Sequence, residues 1–201
     1  SEIPPSAVFL LNLSAFIQNY WLIFLILFVS AIFYWRRLDN DPSAKLRKDN
    51  FLLKLPLIGP LILYKECAVF SRTLGALLGA GIPLIRGLRV SKEVIFNSFL
   101  VKHLNDVEED VRGGAGLGLS LEKTGVFPTL LHQLVTVGEE SGRTSSILVK
   151  SAGTFENFVR NQMSAIVSAL QPALIIFLAI AVGGITITML SAVFSMNAVE
   201  F

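Results

Sequence analysis

The sequence predicts an all-α membrane protein, in which an antiparallel cytoplasmic bundle of about six helices is flanked by two transmembrane helices. Three observations predict it. Charge is confined to the centre of the chain, the apolar residues of that centre recur at helical spacing, and no stretch sustains the two-residue alternation of a half-buried strand. With 53% apolar and only 16% charged residues, the mean hydropathy of +0.64 is too high for an ordinary soluble domain.

All 17 Lys and Arg residues lie between Arg36 and Arg160, whereas residues 3–35 and 161–199 carry no charge. Crossing the hydrocarbon layer takes about 20 helical residues at about 1.5 Å each, so both blank stretches suffice. The first crossing is expected at 15–35, after a short segment at 1–14. Tyr20 and Trp21 stand at one end and Tyr34 and Trp35 at the other, where amphipathic rings favour the headgroup layers. The second is expected within 166–195, centred between Pro172 and Phe194, with 196–201 as a tail. Arg36, Arg37, Lys45, Arg47 and Lys48 follow the first crossing and Arg160 precedes the second. The positive-inside bias therefore places the centre in the cytoplasm and both ends across the membrane. A beginning at Ser1 without Met, a basic leader or a cleavage site implies further sequence upstream.

Residues 36–64 read as a juxtamembrane cytoplasmic linker. The polar run DNDPSAKLRKDN at 39–50 contains Pro42, which discourages helix at Asp41. The apolar run 51–64 is interrupted by Pro56, Gly59 and Pro60, too often for a crossing, and reads as lying against the membrane surface or the domain. The bundle is expected at 65–165. Phe70, Leu74, Leu77 and Leu78 form one helical face that ends at Gly79 to Gly81, and Pro83 opens the next helix, with Leu84, Leu88, Val94 and Ile95 inward and Arg86, Arg89, Lys92 and Glu93 in water. A third helix runs from about Asn97 to Arg112 on Phe99, Val101, Leu104, Val107 and Val111, with Asp106, Glu108, Glu109 and Asp110 mainly outward. Glycines at 113, 114, 116 and 118 stop it. A helical turn at 120–124 follows, Pro128 starts a helix carrying Leu130, Leu131, Leu134 and Val135, and a last helix from about Thr144 carries Ile147, Leu148, Ala152, Phe155 and Val159. Nothing breaks that helix before Pro172, so it is expected to run directly into the second crossing.

Catalytic patterns are weak. The glycine-rich run at 113–118 follows a helix instead of a strand and lacks Gly-Lys-Ser/Thr, which argues against a phosphate loop. His103 and His132 have no partner at metal-ligand spacing, so neither metal nor cofactor is expected. Cys67 is the only cysteine, which leaves no disulfide framework. The centre sets 17 basic residues against 13 acidic ones once Glu2 and Glu200 are excluded, with signs interspersed, which speaks against nucleic-acid binding. Glu139 and Glu140 stand near a helix C-terminus, where carboxylates oppose the macrodipole. A compensating contact is expected, either internal, at the start of the next helix near 141–144, or external, on a basic partner.

Several runs resemble one family. FSRTLGALLGAGIPL at 70–84, GVFP at 125–128, VGEESG at 137–142, SMN at 195–197 and LPLIG at 55–59 look, in this order and spacing, like the general secretion protein F family, related to the platform protein of type IV pili. The resemblance covers nearly the whole chain and carries Phe70, Arg72, Leu74, Gly81, Pro83, Gly125, Phe127, Pro128 and Pro172 as structural positions. It implies a multi-pass inner-membrane platform, both ends of this chain being periplasmic, of which this chain is the second half. It also implies homo-oligomerisation and contact with a secretion ATPase, a bitopic scaffold protein and pseudopilins. Gly138, Glu139, Glu140, Ser141 and Gly142 are the candidate partner-binding residues. The expected function is non-enzymatic, coupling the ATPase to pseudopilus assembly and protein export within surrounding membrane lipids. A type IV pilus platform and, more remotely, a transporter subunit are the alternatives.

Overall fold

The computed structural model describes residues 41–197 and, nearer the N-terminus, Tyr20, Ile23, Leu25, Ile26, Leu27 and Ser30, all six helical. Apart from those six, the first expected crossing lies outside the described residues. Seven helices follow: α1 (Pro42–Lys54), α2 (Ile58–Gly79), α3 (Leu84–Glu93), α4 (Ser98–Arg112), α5 (Leu117–Thr124), α6 (Thr129–Glu140) and α7 (Thr144–Asn197). No strand occurs among the described residues. The chain divides into two units, Leu38–Ser164 on one side and the two ends, Ser1–Arg37 with Ala165–Phe201, on the other.

In the Leu38–Ser164 unit, consecutive helices pack on one another from α1 to α6, and α1 also packs on α4. Helix α7 lies on α2 through the ring of Tyr64, whose centroid is 5.6 Å from Phe155 and 4.0 Å from Phe158. Close approach of α2 and α7 depends on Gly75, where a Cβ would meet Val149 Cγ2 at 2.9 Å and Leu148 Cβ at 3.0 Å. Ser145 Oγ donates to the Gly75 carbonyl across the same contact at 2.8 Å. Phe70, Leu74, Leu88, Leu104, Leu121, Leu131, Leu148 and Phe155 are among the side chains that fill the core.

The structure departs from the sequence reading in several places; among the side chains expected to be packed, Val94 and Leu130 are exposed. Residues 42–54, taken as part of a linker, form α1, because Pro42 occupies the first helical position, where its missing N–H costs nothing, and Asp41 caps the helix by accepting from the Ser43 N–H at 3.0 Å. Hydrogen bonding to Ser43 holds the Asp41 carboxyl below its ordinary pKa. Pro60 is likewise tolerated in the first turn of α2. Helix α5 begins at Leu117, earlier than the turn expected at 120–124. Glu108, expected in water, is buried, since Arg89, Lys92 and Arg112 all reach its carboxylate, and Lys92 is drawn in with it.

Helix α7 continues without interruption past Pro172. It is long and apolar enough to cross a membrane: Thr144–Leu190 contains a window of mean hydropathy 2.6, with no buried share.

Candidate functional site

The VGEESG run closes α6, and its residues differ in what they do. Helices α2, α4 and α6 all end in the same way, with a left-handed glycine at 81, 114 and 142 and a hydrogen bond from the next N–H back across the last turn; in α6 Arg143 N–H donates to the Gly138 carbonyl at 2.8 Å. Gly142, at φ +66°, therefore supplies a conformation that a side chain would strain. Gly138 is buried where a Cβ would lie 3.0 Å from Thr144 Cα, so it sets the tight return into α7. Ser141 Oγ donates to the Val137 carbonyl at 2.7 Å.

Glu139 and Glu140 differ sharply. The half-buried Glu139 carboxylate accepts from the Leu117 N–H at 2.6 Å and the Gly118 N–H at 2.9 Å. These are free donors at the start of α5, where the helix dipole also favours an anion. The contact expected for the carboxylate pair is thus internal, but it is made to α5 and not to the helix that follows. Gly118 makes it geometrically possible: a Cβ there would stand 2.1 Å from Thr136 Oγ1 and 3.0 Å from the His132 carbonyl, so α5 and α6 touch backbone to backbone. The glycine-rich run does present N–H groups to an anion, and the anion is the protein's own side chain. Glu140 is exposed and has no hydrogen bond or ion pair among the described residues. Leu78, Leu84, Glu139, Gly142, Thr144 and Ser145 line a cleft of about 370 Å³ beside the turn.

The remaining sequence-predicted positions are distributed through the Leu38–Ser164 unit instead of joining this turn, except Pro172, which lies in the distal part of α7. Phe70, Leu74 and Phe127 belong to the core. Arg72 forms a two-pronged ion pair with Glu156, at 2.8 and 2.7 Å, tying α2 to α7. Pro83 and Pro128 occupy the positions just before α3 and α6, and Gly125, at φ +64°, ends α5.

Two networks around buried carboxylates escaped the sequence reading. In the first, the hydrogen bond from Lys92, reinforced by Arg89 and Arg112, holds the Glu108 carboxyl below its ordinary pKa. In the second, Asp49 is buried and accepts from the Ser98 N–H at 2.7 Å at the start of α4, while Asn97 caps the same helix through the Leu100 N–H at 3.0 Å. Glu66 accepts from the Phe96 N–H at 3.1 Å, and burial pushes its carboxyl above the ordinary range, with the Asp49 charge adding to the effect. Only a three-dimensional neighbour could have revealed these contacts, because nothing in the local spacing marks Asp49, Glu66 or Glu108 as inward. Burial pushes the Cys67 thiol far up, which leaves it unreactive. His103 lies 3.5 Å from Asp106 and edge-on to Phe99. Among the described residues no group of three or more His, Cys, Asp or Glu side chains is placed to hold a metal ion.

Fold and site together define a helical scaffold: a packed bundle whose last helix extends into an apolar stretch of membrane-crossing length. The family model for type II secretion system protein F matches residues 70–192, and the chain belongs to that family. It is 30% identical to the type IV pilus assembly protein PilC of Pseudomonas aeruginosa over 98% of this chain and 53% of that protein. Against the type II secretion system protein F of Vibrio cholerae it is 31% identical, over 97% of this chain and 48% of that protein. Against the Aeromonas hydrophila protein F the identity is 29%, over 98% and 50%. The chain spans about half the length of these relatives.

Proposed function

We propose that this chain is the second half of a non-enzymatic inner-membrane platform protein of a type II secretion system. Its bundle lies in the cytoplasm, 15–35 and 166–195 cross the bilayer, and 1–14 and 196–201 face the periplasm. The bundle takes up mechanical work from a secretion ATPase and delivers it through α7 to pseudopilins, with a bitopic scaffold protein and further copies of the chain completing the platform. The observation that carries this reading is the continuity of α7. Its first turns bury Leu148, Ala152 and Phe155 in the core, and the same helix runs on to Asn197. A displacement of the bundle thus has an unbroken ladder of backbone hydrogen bonds along which to act.

At the other end of the path, Glu140 and the cleft beside Gly142 supply a rigidly held turn with an unneutralised carboxylate, suited to a basic patch on the ATPase or scaffold. The reading is tested by inserting Gly-Pro after Met163 in the full-length protein. Secretion is expected to be lost while membrane retention and melting of the bundle persist; normal secretion would overturn the coupling.

A second reading has its own support, since relatives named for type IV pilus assembly are as similar as those named for secretion. Complementing strains that lack either the secretion or the pilus platform distinguishes the two.

A further inference from the structure

We infer that α1 and the turn after it form a lipid-docking surface that binds the anionic headgroups of the bilayer. Helix α1 contains four basic residues, Lys45, Arg47, Lys48 and Lys54, and one acid, Asp49. Asp49 is the residue turned into the domain, where it accepts the Ser98 N–H, so the exposed side of the helix itself carries Arg47 and Lys54 and no acid, the nearest exposed carboxylate along the chain being Asp41 at the N-cap.

Arg47, Phe51 and Lys54, spaced four and three residues apart, fall on one stripe and are all exposed. Phe51 is 62% exposed, and Leu57 and Ile58 in the following turn are 66% and 48% exposed. Neither Arg47 nor Lys54 has an ion pair among the described residues. Aromatic and aliphatic side chains between cations are what an interfacial segment requires: the apolar groups enter the boundary between headgroups and acyl chains, and the cations meet lipid phosphate. A nucleic acid would satisfy the cations and leave Phe51, Leu57 and Ile58 in water.

Chain continuity supports the assignment. Six residues lie between the end of the uncharged block at residue 35 and Pro42, seven steps along the chain and a reach of at most about 25 Å. The inference rests on the membrane placement proposed above, and the experiment separates the two.

The full chain, carrying Cys67→Ala and a single new cysteine at Leu57, is labelled with an environment-sensitive fluorophore and reconstituted into vesicles containing brominated acyl chains. Position 119 on α5, where Leu119 is 63% exposed, serves as the control. In vesicles containing phosphatidylglycerol, quenching at 57 is expected to exceed that at 119 by about twofold or more, and Arg47→Glu with Lys54→Glu should remove the excess at unchanged melting temperature. Phe51→Ser, which leaves the charge alone, should reduce it as well.

Quenching at 57 no greater than at 119, or equal in purely neutral phosphatidylcholine vesicles, overturns the inference. So does shielding of 57 only when a partner protein is added, which would assign the surface to that protein. Flotation of the chain with neutral vesicles reports membrane insertion independently, so a failure of insertion and a failure of docking give different results.

Discussion

At the scale of single residues, the two adjacent carboxylates of the α6 terminus are separable. Glu139 satisfies two N–H groups of α5, so Glu139→Gln removes the charge and forces one carbonyl oxygen to do the work of two. A loss of about 1–2 kcal/mol is expected, read as a lower melting temperature. Glu140→Gln has no internal contact to lose and should leave stability within about 0.5 kcal/mol; under the proposed function, Glu140→Lys should nonetheless weaken capture of the secretion ATPase. Loss of stability in both single Gln variants would remove the distinction between an inward and an outward carboxylate. Glu108 offers a test in pH. Its folded pKa is depressed below the reference value of 4.5, so its contribution is fully present above that reference and disappears as pH falls through the folded value. Glu108→Gln is therefore expected to destabilise at neutral pH by about 2 kcal/mol, since Arg89, Lys92 and Arg112 would then face one another without an anion. The gap between variant and parent should close under acid titration. Glu66 has the opposite sign: its folded pKa is raised, so its penalty is present at neutral pH and is relieved on acidification.

At the scale of elements, the helices beyond residue 65 were legible because their apolar spacing and their Gly and Pro punctuation agree. Gly81, Pro83, Gly125 and Pro128 fall at helix boundaries, as their backbone preferences require. Helix α1 was not legible, since four cations and a proline imitate a solvated connection, and the helix depends on a long-range bond from Asp49 to α4. The early start of α5 was hidden for a related reason: glycine at 118 looks like a breaker in sequence but is the residue that lets α5 touch α6. Of the candidate site, the misfit of a carboxylate pair near a helix C-terminus announced a partner, while the identity of that partner lay 22 residues earlier in the chain. Gly118→Ala tests this arrangement. The added Cβ would meet the Thr136 backbone nitrogen at 2.8 Å as well as the hydroxyl, so α5 must retreat, at a cost of about 1–3 kcal/mol. Because the retreat also draws Leu117 and Gly118 away from Glu139, the Gly118→Ala and Glu139→Gln effects should be less than additive in a double-mutant cycle; strict additivity would mean that the close contact and the cap are independent.

At the scale of the whole molecule, two kinds of burial divide the chain. The Leu38–Ser164 unit encloses its own apolar side chains, with Leu74, Leu131, Leu148 and Phe155 at zero exposure, whereas the distal part of α7 leaves Ile176, Phe177, Ile180 and Ile187 about 60–70% exposed. So much apolar surface on one helix requires a nonaqueous surrounding. Substituting Ile176→Arg and Ile180→Arg places two charges near the middle of that stretch. On the insertion scale each guanidinium costs about 2.5–3.5 kcal/mol and each isoleucine lost forfeits a few tenths more, so the pair shifts insertion by roughly 6–8 kcal/mol. The variant should therefore fail to insert the distal part of α7, so a cysteine placed at position 197 becomes reachable by a membrane-impermeant label from the bundle's side while the first proposed crossing still retains the chain; the bundle, whose core includes neither residue, keeps its melting profile. Leu74→Ala should do the reverse, lowering bundle stability by about 2–5 kcal/mol with membrane retention unchanged. If position 197 of the double arginine variant were labelled from the same side as in the parent, the apolar stretch of α7 would not be what carries that end across the bilayer, and force passed along that helix would have no anchored end.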